Sequence, residues 1–305
     1  MTQVVRSGCR TWVWSSGVLL ASLLAQTLPG QTQPPPPSLE PARQQAPGST
    51  TSPTEAEAKP FDPTAFLKEH LFPYEPMYFV AGTESPNAKF QFSLKYQLLN
   101  AEGPLAQKAP FLKGFFAAYT QTSLWDWNQV SAPFLDSSYK PEAFYSWERV
   151  IGGGLTNGVR LDLQPGFQHE SNGKGGEDSR SQNIVYIRPT LTLGRDNHFQ
   201  LILQPRAWVY IGDLSDNEDI ARYRGYADLR AVIGWQQNIQ LSAIGRLGDH
   251  GDRGSLQLDL TFPLMRIWRN FNAYLMAQYF VGYGESLLLY KERSSGFRIG
   301  FALYR

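Results

Sequence analysis

Cysteine is almost absent from this 305-residue chain: the single Cys9 lies in a segment that reads as a removable targeting sequence. The mature chain would then carry no thiol. A disulfide framework is excluded, and a redox-exposed compartment is suited. An excess of charge of either sign is also missing, because 28 basic and 27 acidic residues leave a net charge of +1. No basic stripe points to nucleic acid, and no acidic tract points to a tail. A long apolar run is missing as well. Val13 to Leu24 is interrupted by Ser15 and Ser16 and falls short of the roughly 20 residues that a spanning helix needs. No segment shows the period of an amphipathic helix of useful length.

What is present divides into four stretches. Residues 1–25 read as a secretory signal. Arg6 and Arg10 supply the positive start, Val13 to Leu24 the apolar region, and Ala21 and Ala25 small residues near a cleavage point. No Cys follows the apolar run, so a lipid anchor is not expected. Residues 26–62 form a linker in which Pro34-Pro35-Pro36-Pro37 and neighbouring Gln, Ser and Thr cannot build a core, and disorder is expected. Residues 63–86 carry Phe66, Leu67, Leu71, Phe72, Tyr74, Met77, Tyr78 and Phe79. They are expected to pack on the end of the following domain or to plug it, on its periplasmic side if that domain sits in an outer membrane.

Residues 87–305 repeat one theme. Leu256, Leu258, Leu260 and Phe262 alternate with Gln257, Asp259 and Thr261. Tyr223, Ala227, Leu229, Ala231, Ile233 and Trp235 alternate with Arg222, Arg224, Asp228 and Arg230. Phe297, Ile299, Phe301 and Leu303 alternate with Arg298, Gly300 and Ala302. Turn residues such as Gly194-Arg195-Asp196-Asn197 separate these runs. The pattern predicts an all-β, antiparallel β-barrel of about twelve strands, most of about nine to eleven residues. Two closed solutions fit it: a soluble barrel with apolar residues inside, or a transmembrane barrel with apolar residues toward lipid. Aromatic residues make up 13% of the chain, which suits interfacial girdles as well as a crowded soluble core. The signal segment and an alternating strand that closes one residue before the terminus favour the membrane solution. Outer-membrane barrels usually end on an aromatic residue; here Arg305 follows Tyr304.

The candidate chemistry lies between Leu161 and Asn183. Odd positions read Leu161, Leu163, Pro165, Phe167, His169, Ser171, and even positions read Asp162, Gln164, Gly166, Gln168, Glu170. Side chains alternate faces along a strand, so His169 and Ser171 share the apolar face. Residues 172–182 suit a loop, and an antiparallel return brings Asn183, which shares a face with Val185 and Ile187, close to His169. A base, a nucleophile and an orienting amide on a greasy face suggest an enzyme acting on the membrane itself. Polar residues at a strand end beside an interface would leave the same pattern.

At this point a family resemblance enters. His169-Glu170-Ser171-Asn172-Gly173-Lys174 followed by Ser179-Arg180-Ser181-Gln182-Asn183 resembles the active-site segment of the outer membrane phospholipase A family, His-x-Ser-Asn-Gly-Arg and Ser-Arg-Ser-x-Asn. Tyr119-Thr120-Gln121, Ser131-Ala132-Pro133-Phe134, Tyr139-Lys140-Pro141, Gly282-Tyr283-Gly284-Glu285-Ser286-Leu287 and Phe72-Pro73-Tyr74 agree in order, so the similarity runs from about residue 70 to the end. Lys174 replaces the usual Arg, at a position thought to act through its carbonyl.

The resemblance implies a calcium-dependent phospholipase (A1 and A2) of the bacterial outer membrane, active as a homodimer. Its implied catalytic set is nucleophile Ser171, general base His169, orienting Asn183 and the Gly173 N–H as an oxyanion donor. Its implied Ca2+ ligands are the Ser179 hydroxyl, the Lys174 carbonyl and the Ser131 carbonyl of a second subunit. No other cofactor and no nucleic-acid partner is expected. Glu177 and Asp178 could add charge to that site but also read as solvated loop acids. Gln121 matches a position that bonds across the subunit interface, and by parity it could equally be an ordinary lumen-facing residue. The readings left beside the enzyme are a catalytically inactive outer-membrane channel or structural barrel, and a soluble secreted binder.

Overall fold

A computed structural model describes residues 63–100, 102–152 and 158–305; the expected signal and Pro-rich linker lie outside the described residues. The strands are β1 (Leu71–Pro73), β2 (Met77–Gly82), β3 (Ala88–Gln97), β4 (Phe115–Trp125), β5 (Phe134–Tyr145), β6 (Trp147–Ile151), β7 (Val159–Ser171) and β8 (Ser181–Gly194). They continue with β9 (Phe199–Ile211), β10 (Ala227–Trp235), β11 (Gln240–Leu247), β12 (Gly254–Pro263), β13 (Tyr274–Tyr283) and β14 (Arg293–Tyr304). β1 pairs only with β3 and β6 only with β7; the other twelve are staves of one closed antiparallel sheet. Closure comes from β2, which pairs with β14 on one side and β3 on the other, while β3 also pairs with β4. A closed sheet leaves no unpaired strand edge, which is what a bilayer demands.

The alternation resolves in favour of the membrane solution. Phe92, Phe167, Val185, Ile187, Val209, Ile233, Leu260, Phe297, Ile299 and Phe301 are exposed on the outside, whereas Lys89, Glu142, Gln168, Glu170, Arg188, Gln278 and Arg298 are buried inside. A soluble barrel would reverse these faces. Among the described residues no helix is long and apolar enough to cross a membrane; this chain crosses with strands.

The barrel starts earlier than residue 87. β2 is its first stave, and Tyr78 and Val80 are buried on its inner face with Met276 and Ala302. With Phe79 outside and apolar residues inside, β2 is greasy on both faces, so no polar alternation marks it. Ahead of it, α1 (Pro63–His70) leads into β1, and the chain then enters the lumen. There Tyr74 Oη donates to Glu142 at 2.8 Å, and the Glu75 carboxylate accepts from Arg188 at 2.6 Å and Arg230 at 3.4 Å.

A second departure concerns Arg222 and Tyr223. They do not belong to a stave but to the short helix α2 (Ala221–Arg224). Gly225 ends the turn at φ 62°, where a Cβ would lie 1.9 Å from the Leu247 carbonyl oxygen, so only glycine fits there. Arg222 therefore meets Asp252 at the surface, while Arg224 turns inward to Glu170 at 2.8 Å. Other inward charges also pair: Arg206 with Asp228 at 2.7 Å on the neighbouring strand, and Glu285 with Arg298 at 2.7 Å and Lys89 at 3.2 Å. Removing one member of such a buried pair typically costs about 3–5 kcal/mol, because the other charge stays buried alone.

Candidate active site

β7 and β8 run antiparallel in a register that places His169 directly opposite Asn183 and Ser171 opposite Ser181; on the other side of β7, Ser171 faces Tyr139 of β5. His169 Nδ1 lies 2.8 Å from Asn183 Oδ1. An amide oxygen only accepts, so Nδ1 carries the proton and Nε2 keeps the lone pair. Ser171 is two residues along the same strand face, a rise of roughly 7 Å between Cα atoms; among the described residues its hydroxyl makes no hydrogen bond to His169. Glu170, between them, points to the opposite face. There it accepts from Gln182 at 2.6 Å and Arg224 at 2.8 Å and also from Ser138, tying β7 to β8, β5 and α2 beneath the pair.

The loop after Ser171 is organised by Asn172, which is 4% exposed. Its Nδ2 donates to the Asp178 carbonyl at 2.8 Å, and its Oδ1 accepts from the backbone N–H groups of Arg180 at 3.1 Å and Lys174 at 3.3 Å. Gly173 follows at φ 67°, and a Cβ there would come within 3.0 Å of the Tyr139 ring. Backbone conformation and space together require glycine. Arg180 clamps the far side of the loop, donating to the Glu177 carbonyl at 2.7 Å and the Ser179 carbonyl at 2.6 Å.

Two residues that sequence reasoning missed come from the β9–β10 connection. Ser179 Oγ donates to Asp216 Oδ2 at 2.5 Å, and the Ser181 N–H donates to Asn217 Oδ1 at 2.9 Å. Nothing in the local sequence links them to the motif, since 37 residues separate Ser179 from Asp216. Nearby, hydrogen bonds from the Ser215 backbone N–H and then its hydroxyl hold the Asp213 carboxyl below the usual range, keeping that loop anionic. Glu177 and Asp178 are exposed in a single turn, Gly176–Asp178; the carboxylate that reaches Ser179 is that of Asp216. Hydroxyl, carbonyl and carboxylate oxygens around Ser179 suit a hard cation. Among the described residues no three His, Cys, Asp or Glu side chains converge, so a cation here would rest mainly on neutral oxygens.

Ser131 lies on the β4–β5 connection, exposed, at φ 67°. Among the described residues it makes no hydrogen bond to Lys174 or Ser179. Gln121 proves not to face the lumen: Thr120 and Thr122 line the interior, so Gln121 between them points outward. Its Oε1 accepts from Tyr119 Oη at 3.1 Å, and its Nε2 donates to Ser123 Oγ at 3.2 Å. Gln121 pairs with Tyr139, which pairs with Ser171, so a polar row crosses the lipid-facing surface and ends at the candidate nucleophile.

Fold and site together define a class: a membrane β-barrel with a charged interior that carries a Ser, His and Asn side by side on its lipid face. The chain belongs to the phospholipase A1 family, whose model matches residues 66–303. The phospholipase A1 of Proteus vulgaris is 32% identical over 250 residues, covering 73% of this chain and 80% of that protein. A Neisseria meningitidis serogroup B relative is 34% identical over 190 residues, and the chain spans 47% of that relative's length. The solved structure of outer membrane phospholipase A from Escherichia coli superposes with a TM-score of 0.62 at 26% identity, over 76% of this chain and 98% of that one. The Salmonella typhi outer membrane phospholipase, a dimer with bound calcium, gives 0.63 at 26% identity over 80% and 93%.

Proposed function

We propose that this phospholipase of the bacterial outer membrane is a calcium-dependent phospholipase A that cleaves acyl esters of membrane phospholipids through an acyl-enzyme, with A1 and A2 activity. The observation that carries the reading is the 2.8 Å contact between His169 Nδ1 and Asn183 Oδ1 on the lipid face beside Ser171. Ser171 Oγ attacks the ester carbonyl while His169 Nε2 takes its proton. The tetrahedral adduct collapses, the C–O ester bond breaks, and His169 returns the proton to the leaving lysophospholipid oxygen. Water, deprotonated by the same nitrogen, then attacks the acyl carbonyl; the acyl C–Oγ bond breaks, the fatty acid leaves, and His169 returns the proton to Ser171 Oγ. The Gly173 N–H is assigned to the oxyanion.

Ser179, Lys174 and Asp216 from one chain, with Ser131 from a second, would hold calcium. When bound, the ion supplies a fixed positive field where negative charge develops. The alternative of a passive channel has less support, because hydrogen bonds from Tyr74 to Glu142 and from Arg188 and Arg230 to Glu75 span the lumen.

The test is labelling of the folded protein with a sulfonyl fluoride, with and without calcium. Modification that maps to Ser171 and depends on calcium is expected; modification elsewhere, or none, would remove the mechanism. A finer prediction concerns the base and its orienting partner. A neutral amide holds the imidazole tautomer without offering charge to imidazolium, so Asn183→Ala should reduce turnover at least about tenfold less than His169→Ala. Equal losses in steady-state hydrolysis, with both variants folded, would show that Asn183 does more than orient.

A further inference from the structure

One wall of the barrel interior gathers more cations than the carboxylates bonded to them. β9, β10 and β11 set Arg206, Asp228 and Arg246 directly opposite one another in register, all lining the lumen cavity of about 220 Å³. One carboxylate therefore stands between two guanidinium groups. Asp228 is engaged by Arg206 at 2.7 Å. The Arg246 side chain makes no hydrogen bond or ion pair among the described residues, although Arg224, Asp228, Arg206 and Glu170 are within its electrostatic reach. Its Nε is buried without a protein acceptor, and so is the Nε of Arg224. The adjoining wall repeats the imbalance: Glu170 is shared by Arg224 at 2.8 Å and Lys140 at 3.8 Å. On this wall four cations, Lys140, Arg206, Arg224 and Arg246, surround two carboxylates, Asp228 and Glu170, whereas the cavity as a whole is lined by seven basic and six acidic side chains.

We infer that this wall of the lumen is a binding site for a tetrahedral oxyanion of the phosphate or sulfate class, held by Arg246 and Arg224 with Lys140 beside them. Guanidinium N–H groups buried without a protein acceptor need a partner, and guanidinium groups match tetrahedral oxyanions with their N–H donors. The bound ion ties β11 to α2 and β5, joining walls of the barrel that share no strand pairing. The site is on the lumen face and does not depend on the lipid-face chemistry assigned to His169 and Ser171.

The experiment uses the full chain in a phosphate-free detergent, with a chelator present so that cation sites stay silent. Inorganic phosphate replaces chloride at constant ionic strength. Tryptophan fluorescence should show a saturable rise in unfolding temperature. Arg246→Gln should weaken the apparent phosphate affinity roughly tenfold or more, as loss of a charge-assisted contact implies. Asp228→Asn should act in the opposite direction, because it removes the carboxylate that competes for the same cations. A parallel titration follows the line width of the phosphate ³¹P resonance, which wild type should broaden and sulfate, but not chloride, should sharpen again. Equal phosphate responses in wild type and Arg246→Gln, or weaker binding in Asp228→Asn, would overturn the site. If Arg246→Gln does not fold, the ³¹P competition and the Asp228→Asn affinity decide it, and absence of sulfate-competed broadening is a negative answer.

Discussion

Ser171→Ala is expected to lower phospholipid hydrolysis by at least about 10⁴-fold, the scale on which removal of a covalent nucleophile acts, while leaving the barrel folded. Both halves of this expectation come from position. Ser171 is only partly buried at the end of β7, and among the described residues its hydroxyl holds no hydrogen bond, so truncation leaves no unsatisfied partner behind. The strand pairing to Ser181 and Tyr139 uses backbone groups that alanine keeps. Hydrolysis of a phospholipid substrate and heat-modifiable gel mobility measured on one preparation separate the two effects. Near-wild-type hydrolysis in the folded variant would show that Ser171 is not the nucleophile, whereas lost activity with lost heat-modifiability would show a folding defect instead.

Chelation of calcium is expected to abolish turnover, and calcium and dimerisation are expected to strengthen each other. A hard cation of this kind prefers six to eight oxygens. The 172–180 loop and Asp216 offer few, and Ser131 sits apart, exposed on another connection. In the proposed arrangement its carbonyl would serve a second chain. In a two-fold dimer the same surfaces meet twice, so two identical sites would each be completed by the other chain. The outward row from Gln121 through Tyr139 to Ser171 gives that contact a polar surface in an otherwise apolar belt. Linkage then requires that calcium tighten the dimer by the factor by which the dimer tightens calcium. Sedimentation equilibrium in detergent, with calcium titrated against sulfonylated Ser171, measures the first factor, and calcium binding at two protein concentrations measures the second. A dimerisation constant indifferent to calcium, or a fully active monomer, would refute the arrangement. Asp216→Ala should weaken calcium without altering the His169–Asn183 contact.

The lumen explains why some features could be read from the chain and others could not. Leu256, Leu258 and Leu260 announce β12 because polar Gln257 and Asp259 separate them; β2 hides because Tyr78 and Val80 face a small apolar cluster inside. Parity placed His169 and Ser171 on the apolar side, and the structure agrees. For Gln121 parity alone left two faces open, and its neighbours Thr120 and Thr122, which line the interior, resolve the choice.

The amino-acid order by itself determined what depends on near neighbours: a period of two, the turns between staves, the spacing of His169, Ser171, Gly173 and Asn183, and hence the family. Only the tertiary structure decided which distant groups meet. Glu75 reaches Arg188 and Arg230, Ser179 meets Asp216, and Arg206, Asp228 and Arg246 stand in one row. Such contacts follow from the closure of twelve staves and from their mutual register. A one-residue slip in that register would turn every side chain of a stave to the other face, so no local pattern along the chain can encode them.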